Sequence, residues 1–158
     1  MFELVWRTGA VGSSADLTWR YMGAAISMHT TYVGNGLGSL VRSALDLRCG
    51  SSSAIAVLPG EPGGTYLFFQ DAAREVYVQV VQFPDVWSEE RWGGGDLLWS
   101  GRLPVAEYIS QVVVVADSVI AQHGGADEYS KDWGGIEFPM SDVSKLRSLG
   151  PVREDDCG

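Results

Sequence analysis

The chain has 158 residues, 46% of them hydrophobic and 20% charged. That is the profile of one folded globular domain, and it argues against a disordered or fibrous chain. The formal net charge of −9 repels phosphate, so nucleic acid is not an expected partner. No apolar run approaches the length of a membrane span, and Met1–Arg7 lacks the basic-then-apolar pattern of a signal peptide. The expected location is therefore the cytoplasm, with no membrane contact.

Two cysteines, Cys49 and Cys157, are too few for a disulfide framework or a structural zinc site and read as free thiols.

In chain order, the first third reads as strands. Phe2–Trp6 and Leu17–Met22 flank a Gly/Ser-rich turn, Thr8–Ser14. Leu17, Trp19 and Tyr21 alternate with Thr18, Arg20 and Met22, the period-2 pattern of a half-buried strand. Ile26–Val33 continues the alternation, as in an antiparallel meander. The period then lengthens. Leu37, Leu40, Val41, Ala44 and Leu45 form one helical stripe, with Asn35 as N-cap and Gly50 as stop.

Strands resume at Ala54–Leu58, Thr65–Gln70 and Glu75–Phe83, joined by the turns Pro59–Gly64 and Asp71–Arg74. Pro84 ends the last of these. Asp85–Gly95 reads as a loop and Leu97–Ser100 as a short strand. Pro104 opens the longest helix, to about His123. Its run Val112–Val115 favours a strand in isolation, but unbroken helical spacing over the segment decides for helix. Gly124 and Gly125 stop it. Asp127–Glu137 reads as a second acidic loop, and Ser141 caps a short helix carrying Val143, Leu146 and Leu149. The expected fold is α+β: one antiparallel sheet of about six strands, two main helices and a short C-terminal helix, in a single domain over 1–151. Residues 152–158 read as a disordered tail.

Charge is uneven. Residues 1–84 carry six acids and five bases, residues 85–158 fourteen acids and six bases. A field of one sign steers a basic partner. The contacts expected from this are Asp85, Trp87, Glu89, Glu90, Trp92 and Asp96 in the first acidic loop, with Asp127, Glu128 and Asp132 in the second. Tryptophan supplies large contact area at low entropic cost, though the same rings can equally fold inward to pin the loops. Tyr129, Trp133 and Phe138 are expected to anchor the chain end to the core.

No catalytic constellation emerges from spacing. His29 lies mid-strand and reads as structural. His123 ends the long helix, where a cation suits the dipole. The two histidines lack metal-ligand spacing. The glycines of 34–38 and 93–95 lack the spacing and the lysine of phosphate-binding loops, so no cofactor is implied. The acids of the two loops match neither a glycosidase pair nor a calcium loop.

Two stretches carry a resemblance. One runs from Gly50 through Glu61-Pro62-Gly63 to Gln70. The other is Tyr129-Ser-Lys-Asp-Trp133 with Phe138-Pro139, Leu146 and Leu149. Together they resemble a group of small α+β proteins of actinobacteria, whose layout is similar to the immunity partners of bacterial polymorphic toxins. The resemblance implies a non-catalytic protein that neutralises a toxin, and it carries no catalytic residues. Two other readings stay open. One is a small-molecule or peptide module with a sheet–helix pocket lined by Trp19, Tyr21, Tyr32 or Tyr66. The other is a hydrolase in which His29 meets a carboxylate or hydroxyl. A homodimer is also left open.

Overall fold

The computed structural model describes residues 1–85 and 94–151. Within them the order is β1 (Glu3–Thr8), β2 (Ser14–Tyr21), β3 (Ala24–Thr31), α1 (Gly36–Arg48), β4 (Ala54–Pro59), β5 (Gly64–Gln70), β6 (Glu75–Phe83), β7 (Asp96–Pro104), α2 (Val105–His123), α3 (Ala126–Asp132) and α4 (Met140–Ser148). The class is α+β, as expected, but the single sheet of about six strands is corrected to two antiparallel sheets, β1-β2-β3 and β4-β5-β6-β7. Alternation along a strand tells which face is buried and says nothing of which strands share an edge. Here α1 intervenes between β3 and β4, and the two strands meet through a side chain instead of a ladder. The Thr30 hydroxyl, fully buried, donates to the Pro59 carbonyl at 2.7 Å. Gly36 opens α1 because the helix starts hard against that clamp. A Cβ there would lie 2.8 Å from Thr30 Oγ1.

The inner faces follow the alternation. Leu4 and Trp6, Leu17 and Trp19, and Met28 are buried from the first sheet. Ala56, Leu58, Leu67, Phe69, Val76, Val78 and Val80 are buried from the second. Helix α2 closes the core between them. Its Tyr108 ring lies 4.7 Å from Phe69 of the second sheet and 6.2 Å from Phe2 beside the first. The Tyr108 hydroxyl pairs with Ser43 of α1 at 2.7 Å. One residue thus touches both sheets and both main helices. Two of the expected caps hold: Asn35 Oδ1 accepts from Gly38 N at 2.9 Å, and Gly124 ends α2 at φ 84°. The expected Ser141 cap is corrected: α4 begins at Met140 after Pro139, so Ser141 lies in its first turn.

Helix α2 passes, by length and composition alone, for a membrane-crossing helix, with mean hydropathy 1.3 over its window. Its apolar stripe, however, including Val105, Tyr108, Val112 and Val119, is buried in the core. A second stripe lies along the free edge of β1. Glu107 and Gln111 accept from the amides of Phe2 and Leu4, at 3.3 and 3.1 Å. Gln122 accepts from Thr8 N and donates to Trp6 O, both at 2.8 Å. The helix therefore satisfies the backbone of an edge strand that would otherwise offer itself for pairing.

The second acidic loop is corrected as well. Its first part is α3, where Asp127 and Glu128 occupy the first turn and Lys131 the last. Seven residues with Tyr129 alone buried, and Trp133 just beyond their end, are too few for a periodic signal.

Candidate functional site

Strand direction gathers the chain's loops at one end of the molecule. Strands β1, β3, β4 and β6 finish there and β2, β5 and β7 begin there, as their antiparallel registers require. Helix α1 starts at that end. Helix α2 finishes there, since its last residue bonds to Thr8 at the end of β1. Helix α3 follows, and Tyr32 after β3 packs on Gly134 after α3.

This loop end carries Asp16, Glu61, Asp85, Asp96, Asp127, Glu128, Asp132 and Glu137. Among the described residues, only Arg7 and Lys131 oppose them. Everywhere else on the described chain acids and bases are equal in number. Glu3, Asp46, Asp71, Glu75, Glu107, Asp117 and Asp142 are balanced by Arg20, Arg42, Arg48, Arg74, Arg102, Lys145 and Arg147. Most of that second set is paired: Arg20 with Glu3, Arg42 with Asp46 and Asp142, Arg102 with Glu75, and Arg147 with Asp117. At the loop end Lys131 neutralises Glu128. Glu61, Asp96, Asp127 and Glu137 are exposed, with no ion-pair partner among the described residues. Among the described residues the excess charge thus segregates by end of the fold and not by half of the sequence.

Of the contacts expected from sequence, Asp85, Asp96, Asp127, Glu128 and Asp132 lie at this end. Trp87, Glu89, Glu90 and Trp92 lie outside the described residues, as does the expected tail. Trp99 is partly buried and packs against the core, 5.4 Å from Trp19 and 6.2 Å from Tyr21. Tyr129, Trp133 and Phe138 are buried as expected. Trp19, Tyr21, Tyr32 and Tyr66 are not brought together. Trp19 is sealed in the core, Tyr32 is half exposed at the loop end, and Tyr66 packs with Phe83 on the outer face of the second sheet.

A cleft of about 480 Å³ opens at the same end, between the β4–β5 turn and the start of β7. Glu61, Asp96, Phe83 and His29 line it. The His29 Nδ1 lies 2.8 Å from Asp16 Oδ1 across the β2–β3 ladder. Both side chains are more than half exposed. His29 therefore does meet a carboxylate, but on an open face.

The more enclosed histidine is His123, whose side chain is 1% exposed. Its Nδ1 lies 2.7 Å from Asp132 Oδ2 and its Nε2 3.0 Å from Thr8 Oγ1. The edge of Tyr129 meets the ring at 88°. Asp132 is fixed in turn by the β1–β2 turn, where Gly12 sits so close that a Cβ would lie 3.3 Å from the carboxylate carbon. Helix-end position explains His123 only in part, because its three partners come from β1 and α3. Residues 8, 123 and 132 carry no spacing signal, which is why sequence reasoning missed the assembly.

Burial pushes the Tyr108 phenol well above its ordinary pKa, with the Ser43 bond pulling weakly the other way. Burial alone does the same to Tyr129. Among the described residues no cluster of histidine, cysteine and acidic side chains could hold a metal ion. No family model, curated protein or solved structure matches the chain.

Proposed function

We propose that this chain is a protein-binding domain that recognises a basic partner through its acidic loop end, in the manner of an immunity protein that occupies a toxin. The observation that carries the reading is the unbalanced charge: exposed carboxylates crowd one end of the fold, while over the rest of the described chain acids and bases are equal in number and mostly paired. Unpaired carboxylates keep their field, which speeds encounter with a cationic surface and selects its orientation. The cleft beside Glu61 and Asp96 supplies concavity at the same end. The exposed free thiol of Cys49 fits a reducing, cytoplasmic setting.

The test compares two triple charge reversals by stopped-flow binding of an oligo-arginine peptide. Converting Asp96, Asp127 and Glu128 to lysine should slow association on the order of tenfold at low salt and flatten its salt dependence. Converting Glu3, Asp46 and Asp117 should leave the rate within about twofold. Equal losses from the two sets would reject the loop end as the docking surface.

A further inference from the structure

Thr8, His123 and Asp132 make a hydroxyl–imidazole–carboxylate chain in hydrogen-bond contact throughout, at 3.0 and 2.7 Å. A helix-terminal histidine needs neither contact to favour the dipole. Acyl-transfer catalysis needs both, in this order. The hydroxyl must meet one ring nitrogen so that its proton can leave as the oxygen attacks, and the carboxylate must hold the other to fix tautomer and ring plane. Here the order is met, and the ring is held further by Tyr129 and by the loss of its own solvent exposure. The hydroxyl belongs to the last residue of β1, at the mouth of an exposed turn. Gly9 and Gly12 are tied by backbone bonds within that turn. The residues between them, Ala10 and Val11, are exposed.

We propose that Thr8 is a nucleophile for acyl transfer, with His123 as its general base and Asp132 as the positioning residue. Thr8 Oγ1 bonds to the carbonyl carbon of an ester while its proton passes to His123 Nε2. The tetrahedral adduct collapses with loss of the alcohol, which takes the proton from His123, and an acyl-threonine remains. Water, giving its proton to the same nitrogen, then attacks the acyl carbon. The carboxylic acid leaves and the proton returns to Thr8. The surrounding acids Asp127 and Glu128 repel anionic donors, so the substrate class is a neutral or cationic carboxylic ester. This inference stands apart from the docking reading. The two share a place on the fold and the acids Asp127, Glu128 and Asp132, but neither needs the other.

The wild-type chain is incubated with p-nitrophenyl acetate across a pH series, phenolate release is followed, and the acetyl group is located by tandem mass spectrometry. The expected result is an acetyl group on Thr8, formed at a rate that falls toward acid pH. Thr8→Ser should retain the reaction and Thr8→Ala should lose it. His123→Gln should slow it on the order of a hundredfold, and Asp132→Asn should slow it and displace the pH profile. Each variant is checked for native near-UV dichroism. Wild-type protein acetylated at lysine or the N-terminus and never at Thr8 would overturn the proposal. So would a natively folded His123→Gln variant reacting at the wild-type rate.

Discussion

Tyr108 does more at the residue scale than any neighbour, because its ring bridges the two sheets and its hydroxyl bonds to α1. Tyr108→Phe keeps the ring and removes the bond to Ser43, which still has the Leu40 carbonyl to bond to. The expected cost is about 1 kcal/mol, read as a lower midpoint in urea unfolding. Tyr108→Ala leaves a cavity among Phe2, Trp19 and Phe69 and should cost about 3–5 kcal/mol. The buried phenols also set the alkaline limit. Tyr108 and Tyr129 are held protonated in the folded chain above the value of about 10 they take when unfolded. A raised folded pKa contributes stability in full below about pH 10 and loses it as pH rises beyond. Stability should therefore fall steeply above that point, with phenolate absorbance from these two residues appearing together with unfolding. Phenolate absorbance from both while near-UV dichroism stays native would contradict the burial argument.

At the scale of elements, the most informative pairing is α2 with the edge of β1. The strand's outward amides and carbonyls are met by Glu107, Gln111 and Gln122 on one helix face. Gln122→Ala removes two of those bonds and should cost about 1–3 kcal/mol. Amide hydrogen exchange at Thr8 should accelerate well beyond the change at β5, which lies between two other strands. Uniform acceleration across both sheets would show a merely global loss. The same element shows what a linear reading can and cannot see. Its apolar stripe was plain despite the β-branched run, because burial repeats at helical spacing. Its polar stripe had no meaning until β1 was laid beside it. Helix α3 escaped detection for a related reason: it is too short to repeat, and Trp133 at its end is anchored by Trp6 from distant chain.

For the whole molecule, the dominant feature is the concentration of charge at the loop end. Crowded carboxylates repel one another in the folded chain more than in the expanded one. Salt should therefore stabilise this protein. Its melting temperature should rise between about 10 mM and 0.5 M sodium chloride, where the Debye length contracts from about 30 Å to a few ångström. The Asp96, Asp127 and Glu128 reversals should themselves raise the low-salt value and remove most of that dependence. A melting temperature independent of salt would mean the repulsion is already relieved.

Much of the element list was legible along the chain. Proline, glycine and asparagine punctuated it locally, and apolar periodicity named nearly every strand and both main helices, because backbone preference and burial act over a few residues. The acidic excess, and the residues that carry it, were likewise written in the sequence. Three things waited on tertiary structure. The strands divide into two sheets because Thr30 and Pro59, not a backbone ladder, join β3 to β4. The charge gathers by end and not by half because antiparallel strands return Asp16 and Glu61 to the neighbourhood of Asp96 and Asp127. Thr8, His123 and Asp132 meet because a strand end, a helix end and a short following helix converge. Each is a contact between residues far apart in the chain. Local sequence sets the conformation of each segment, but only the packing of whole elements decides which segments touch.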